Sequence, residues 1–274
     1  MIFLAINKHQ FSYFSKISSF IGRGVVSYPV FTLRGLRHFS IKEIRSINWF
    51  EIIDEKCRER EVKQKRSGRL YKFLVLLELL LFYLSIKYRV EKDSVDTILM
   101  WNGSHRYQRV ISSLYQSKLR LVYFENGLLP NTTTCDFKGV NYLNSVPRDK
   151  KFYIDMYDEY DIESICLDKD LVPRKTKKVF DEIELPDEFI FVPFQDDRDT
   201  QIRNFSPIFK NMRDLYSFIS SGLSSSDNVF VVKEHPSSKI DYSDLHYRDK
   251  NIIFANGNLT QELILKSKAV LTVN

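Results

Sequence analysis

Short apolar runs that stop abruptly in polar, Pro- or Gly-containing exits recur along this chain, and they constrain its fold more than any other feature. Val231-Val232-Lys233 ends in Glu234-His235-Pro236, and Val122-Tyr123-Phe124 ends in Glu125-Asn126-Gly127. Phe189-Ile190-Phe191-Val192-Pro193-Phe194 ends in Gln195-Asp196-Asp197-Arg198-Asp199-Thr200-Gln201. Runs of this length, rich in β-branched and aromatic residues, read as strands. Helical patterns separate them, which points to an α/β chain with a parallel sheet, and such sheets present ligand groups at the carboxyl ends of their strands. Three strand exits carry Glu, Asp and His.

In chain order, the pattern predicts a strand at 2–6, a helix at 10–21, a strand at 25–32 and a charged helical region reaching Arg89. A strand at 97–100 then runs into Trp101-Asn102-Gly103-Ser104, and a helix at 106–116 leads to the strand before Glu125. The Tyr-, Asp- and Lys-rich stretch 150–178, with Pro173 and the Lys175, Lys177, Lys178 cluster, reads as a connection between two lobes. With 274 residues, two lobes are the better expectation, 1–180 and 181–274. In the second, Phe209, Met212, Leu215, Tyr216, Ile219 and Leu223 recur at helical spacing over 206–223. The strand into His235, a strand at 252–254, a helix at 260–266 and a strand at 269–273 follow. The last strand has no helix after it, so the second lobe is expected to be incomplete at Asn274.

Charge and cysteine usage bound the partners. A net charge of +6 with a pI near 9 suits an acidic partner: a sugar nucleotide, an anionic glycan, anionic lipid or nucleic acid. Residues 55–69 hold seven basic side chains against three acidic ones and precede an apolar stretch, 70–86, that carries Lys72 and Glu78. That stretch is short and charged for a membrane span. It reads as a buried or interfacial helix, so residues 55–86 are a candidate contact for an anionic membrane surface. No aromatic residues interleave the basic ones, so no nucleic-acid partner is expected. Cys57, Cys135 and Cys166 are odd in number and widely spaced, which fits a reducing cytosol, and Met1-Ile2-Phe3-Leu4-Ala5-Ile6 reads as a first strand rather than a secretory leader. His9, His38, His105 and His246 are scattered and Asp196, Asp197 and Asp199 lack a ligand spacing, so no metal and no cofactor are expected.

A set of blocks carries a further likeness. Trp101-Asn102-Gly103 is followed by Tyr123-Phe124-Glu125-Asn126-Gly127-Leu128-Leu129-Pro130-Asn131-Thr132, then by Asp136-Phe137-Lys138-Gly139-Val140-Asn141, Asn144-Ser145 and Pro147-Arg148. Pro193-Phe194-Gln195, Asp199-Thr200-Gln201-Ile202-Arg203, Lys233-Glu234-His235-Pro236 and Leu271-Thr272-Val273-Asn274 come next. Together, over about 97–274, these resemble the capsule polysaccharide biosynthesis family. The resemblance implies two Rossmann-like lobes of GT-B type, and a transferase that moves Kdo, an eight-carbon acidic sugar, from a CMP-activated donor to a lipid or glycan at the cytoplasmic face of the inner membrane. It implies CMP binding in the second lobe, by His235 and Pro236 with Lys233, Gln195, Gln201, Arg203 and Asn274 around it. It places Asn126, Gly127, Asn102 and Gly103 in loops of the first. A Ser/Thr-rich turn and helix that help hold the nucleotide in that family would lie past Asn274.

The chemistry supports roles for individual residues. Pro236 restricts the residue before it, so His235 is held at a strand tip where it can donate to a phosphate oxygen. Loss of CMP from an anomeric carbon passes through an oxocarbenium-like state that carboxylates stabilise. Asp199 is the candidate nucleophile of a retaining transfer, with Asp197 as its local rival, and Glu125 is the candidate acid/base. Lys233 and Arg203 are electrostatic helpers. The same residues have a structural reading: Glu125 and Asn126 satisfying loop amides, and Asp199 capping the helix after it. A truncated or degenerate member that binds nucleotide, glycan or an export assembly without turnover is the alternative function.

Overall fold

A computed structural model describes residues 1–62, 65–127, 132–159, 180–199, 201–222 and 228–273. The chain divides into two compact units, Met1–Ile162 and Glu163–Asn274. Of the connection that the sequence predicts at 150–178, the first ten residues form a helix and 160–178 lie outside the described residues, as does Cys166.

The first unit is built from β1 (Ile2–Leu4), α1 (Lys8–Ile21), β2 (Val25–Ser27), α2 (Ile41–Ser46), α3 (Trp49–Val62), α4 (Arg69–Lys92), β3 (Thr97–Trp101), α5 (Arg106–Tyr115), β4 (Arg120–Asn126), β5 (Thr133–Asp136) and α6 (Lys150–Glu159). Its sheet has the order β2-β1-β3-β4-β5. The first four strands are parallel, whereas β5 runs antiparallel to β4. That hairpin is absent from the sequence pattern, because Thr133-Thr134-Cys135-Asp136 is a polar edge strand with no apolar run to mark it.

The three inner strands of this sheet, β1, β3 and β4, are buried on both faces along most of their length, which is why they read as unbroken apolar runs. Ile2, Leu4, Ile98, Met100, Leu121 and Tyr123 pack with residues of α3, α4 and α5, while Phe3, Ala5, Leu99, Val122 and Phe124 pack with Phe14 of α1. Each such fully buried aliphatic or Phe side chain contributes about 1.5–3 kcal/mol. Asn7 caps α1 by accepting from the Gln10 amide at 2.9 Å, so the helix begins two residues earlier than the apolar spacing indicates.

The second unit comprises β6 (Ile190–Pro193), α7 (Met212–Gly222), β7 (Phe230–Lys233), β8 (Ile252–Phe254), α8 (Thr260–Lys266) and β9 (Ala269–Val270), in an all-parallel sheet of order β8-β7-β6-β9. One face packs Val192, Phe194, Phe230, Val232 and Ile252 against Met212, Leu215, Tyr216 and Ile219 of α7; the other packs Phe191 and Val231 against Leu263 of α8. The predicted helix at 206–223 is shorter in fact. A π-helical turn, Gln201–Phe205, precedes it, and α7 starts only at Met212, whose amide donates to the Asp197 carboxylate at 2.8 Å. Leu223 lies outside the described residues.

Candidate functional sites at two sheet edges

In both units the carboxyl ends of the parallel strands gather the polar exits. In the first, β3 leaves the sheet through a tight turn. Asn102 and Gly103 take positive φ values of 30° and 79°, and a Cβ on Gly103 would stand 2.7 Å from the Tyr123 ring, so glycine is required there. The Asn102 side chain accepts from the amide and hydroxyl of Ser104, and His105 then caps α5 in a box with Gln108. Burial, with Arg106 beside it, pushes the His105 imidazole down to about 3, so this histidine is a neutral structural cap.

Glu125 stands on the neighbouring strand. Its Oε1 accepts from Trp101 Nε1 at 3.2 Å and from the Asn126 amide at 2.9 Å, leaving Oε2 with no hydrogen bond among the described residues. Gly127 donates to the Thr132 carbonyl at 2.9 Å, and a Cβ there would meet the Thr132 side chain. Residues 128–131 of this connection lie outside the described residues. At the end of β5, Asp136 is a buried anchor. It accepts from the amides of Lys138, Gly139 and Ser145 and from the Ser145 hydroxyl, and against the burial these donors hold its carboxyl down at about 2.

The second unit brings the exits of β6 and β7 side by side, with Pro193 and Lys233 in register. The three aspartates after β6 take three different partners. Asp196 is clamped by Arg198, whose Nε donates at 2.8 Å and whose Nη2 also bonds it. Burial disfavours its charge, yet this guanidinium holds the Asp196 carboxyl below its ordinary value. Asp197 is buried, with one oxygen on the Met212 amide and the other accepting from Tyr242 Oη at 3.0 Å, and burial raises its pKa. Asp199 is exposed. It accepts from the Gln201 amide at 2.9 Å through Oδ1, and its carbonyl accepts from the Arg203 amide at the start of the π-helical turn.

At the end of β7, Lys233 and the following Glu234 turn into the protein. Lys233 donates to the carbonyls of Asn256 and Asn258, at 2.7 and 2.5 Å, and burial depresses its pKa. Glu234 bonds Asn256 Nδ2 at 2.8 Å and His246 Nε2 at 2.7 Å, so His246, isolated in sequence, is paired in space. His235 is half-buried, and its Nδ1 lies 3.2 Å from the Ser237 amide and 2.9 Å from the Ser237 hydroxyl. Arg198 Nη2 also donates to the Ser237 carbonyl at 2.8 Å, and Ser237 Oγ donates to Asp196 at 3.3 Å. One network therefore ties the exit of β6 to that of β7.

The structure thus groups Asp199, Gln195, Gln201 and Arg203 after β6 with Lys233, His235 and Pro236 at the end of β7. Arg203 Nε donates to the Arg198 carbonyl at 3.0 Å, and the Gln195 amide contacts Met212 Sδ at 3.1 Å. Glu125, Asn126, Gly127, Asn102 and Gly103 share an edge of the other unit. Asn274 lies outside the described residues, as do Thr200 and Lys63. Sequence reasoning missed Arg198 and Ser237; the signals were a basic residue inside an acidic strand exit and a Ser two positions after the His. A cavity lined by Ile219, Phe230, Asp249 and Ile252 opens at the amino ends of β7 and β8, away from these polar exits.

A third feature lies on α4. Leu70, Phe73, Leu74 and Leu77 are exposed at positions i, i+3, i+4 and i+7, while Val75 and Leu79 are buried. Further along, Leu84 lies beneath Gly35 of a 3₁₀ turn, Leu33–His38, so closely that a Cβ on Gly35 would come within 1.9 Å of the Leu84 carbonyl oxygen. Lys65, Arg66 and Arg69 are exposed just before the stripe. No helix among the described residues is long and apolar enough to cross a membrane.

No family model matches the chain. Over 178 residues it is 33% identical to Protein FixF of Sinorhizobium fredii, an alignment that takes in 65% of this chain and 43% of FixF. The chain therefore spans less than half the length of that curated relative. Among solved structures it is similar to Thermosulfurimonas dismutans KpsC, a β-Kdo 2,7 transferase, with 14% identity and a TM-score of 0.47 over 99% of this chain and 71% of that one.

Proposed function

We propose that this chain takes part in glycosyl transfer, binding a CMP-activated acidic sugar such as Kdo on its second unit and a lipid or glycan acceptor on its first, as two lobes of a GT-B enzyme in capsule synthesis. The observation that carries the reading is the pairing of the β6 and β7 exits, which sets an exposed carboxylate, Asp199, and a strand-tip imidazole, His235, on one sheet edge. The ordered sequence blocks over 97–274 support the same reading.

In the proposed reaction, His235 donates from Nε2 to a phosphate oxygen of CMP, and the Asp199 carboxylate attacks the anomeric carbon as the bond to that phosphate breaks. CMP leaves with the bonding electrons, and the sugar is held as an ester of Asp199. Glu125 removes the proton of the acceptor hydroxyl, whose oxygen then displaces Asp199 from the anomeric carbon. Two displacements retain the configuration. Asp197, with both oxygens engaged, suits an anchoring part rather than the nucleophile. Lys233, bonded to two carbonyls, likewise suits a loop tie.

The exposed stripe on α4, with Lys65, Arg66 and Arg69 beside it, is read as the contact with an anionic membrane surface, where a peripheral enzyme meets a lipid acceptor. The test of the whole reading is an assay of the full chain with CMP-Kdo and a short lipid acceptor, alongside calorimetry with CMP. Transfer with retention supports it. Binding of CMP without turnover favours the non-catalytic alternative, and no binding of CMP or donor overturns it.

A further inference from the structure

We propose that Arg198, clamped by Asp196, is a positioning residue that holds His235 in its Nε2–H tautomer through the backbone of Ser237; the ligand in view, a nucleotide phosphate, rests on the functional reading above. A neutral imidazole carries one proton, and the partner of one nitrogen decides where it sits. A backbone N–H can only donate. The Ser237 amide, 3.2 Å from Nδ1, therefore selects Nδ1 as the acceptor and leaves the proton on Nε2. Among the described residues Nε2 has no hydrogen-bond partner, so its N–H is available to an anion.

The amide keeps that aim only if the 235–237 turn is held. The Ser238 amide bonds the His235 carbonyl at 2.9 Å within the turn, and Arg198 Nη2 bonds the Ser237 carbonyl at 2.8 Å from outside it. Arg198 is fixed in turn by Asp196, through Nε, Nη2 and its own amide. The line of contact runs from Asp196 to Arg198, to the Ser237 peptide, to Nδ1. The Ser237 hydroxyl lies near both Nδ1 and Asp196, at 2.9 and 3.3 Å, so it can donate to either without disturbing the choice of tautomer. Every member belongs to the second unit.

The experiment is a long-range ¹⁵N–¹H spectrum of the histidine rings in the full chain, above the range where imidazole protonates. It is recorded for the wild type, Arg198→Ala and Asp196→Asn, with the His235 signals assigned by His235→Gln, and with CMP affinity measured on the same samples. The wild type is expected to give a single His235 pattern, Nε2 protonated and Nδ1 hydrogen-bonded. Arg198→Ala is expected to give mixed tautomers and roughly two- to tenfold weaker CMP binding, the worth of one neutral hydrogen bond. Asp196→Asn, which keeps the shape of the clamp but weakens it, should move both readouts the same way by less, and serves if Arg198→Ala fails to fold. A folded Arg198→Ala or Asp196→Asn variant that keeps the wild-type His235 pattern overturns the proposal, as does a wild type with Nδ1 protonated. If the wild-type pattern is single and loosens in the variants while no protein binds CMP, the tautomer lock stands and the phosphate reading falls.

Discussion

Trp101 and Glu125 meet across neighbouring parallel strands: the indole Nε1–H donates to Oε1 at 3.2 Å, one residue past the register pair of Trp101 with Phe124. The bond holds one carboxylate oxygen toward the β3 turn, while the other has no hydrogen bond among the described residues. A glutamine can accept the same bond. Glu125→Gln is therefore expected to unfold at the wild-type temperature yet to lose roughly 10²- to 10⁴-fold in transfer rate, as for a general base. Thermal unfolding and initial rates on the same preparation check this; near-normal turnover would remove Glu125 from the mechanism.

Asp197 and Asp199 are expected to separate in the opposite way. Asp197→Asn keeps one acceptor for the Met212 amide but presents an NH₂ to Tyr242 Oη, so the phenol loses the acceptor for its own proton, and the change should cost about 1–3 kcal/mol of stability. Asp199→Asn is exposed and should leave the melting temperature almost unchanged while abolishing transfer. Urea unfolding and a transfer assay read the two effects. Should Asp199→Asn remain active, the proposed nucleophile is not Asp199.

The Asp136 anchor makes a pH prediction. Its folded carboxyl titrates at about 2, below the ordinary value near 3.8, so its contribution to stability is complete above the ordinary value and is lost as the pH falls toward about 2. Asp136→Asn should lower stability near neutrality by about 1.5–3 kcal/mol, the scale of one charge-assisted bond. The penalty should shrink below pH 4. Denaturant melts at pH 7 and pH 3 measure it, and an equal loss at both would show that the carboxylate charge is not what holds the loop.

The α4 stripe predicts binding to vesicles containing phosphatidylglycerol, with weaker binding to neutral vesicles. Phe73→Glu with Leu77→Glu should abolish sedimentation with both kinds, because it places charge in the apolar contact. Arg66→Glu with Arg69→Glu should remove the preference for anionic lipid, and added salt should weaken it. A concentration-dependent dimer that these changes dissolve, without vesicle binding, would assign the stripe to a second copy of the chain instead.

How much of this was legible in sequence follows from where each constraint acts. β1, β3, β4, β6 and β7 could be read directly, because a strand covered on both faces must be apolar at almost every position, and the short length and β-branched and aromatic content of such a run separate it from a buried helix. The exits bearing Glu125, Asp199 and His235 were legible for the same reason, as the points where each run stops. Sequence did not reveal the β5 hairpin, whose exposed edge tolerates polar residues, or the late start of α7, set by Asp197 fifteen residues upstream. Nor could it show that Arg198 reaches Ser237, 39 positions away, or that Lys233 and Glu234 turn inward while one ring nitrogen of His235 has no hydrogen-bond partner among the described residues. Local pattern determines the strands and where they end. Which polar side chains at those ends hold the fold and which remain for a ligand depends on hydrogen bonds between loops far apart in sequence, and only tertiary packing brings those partners together.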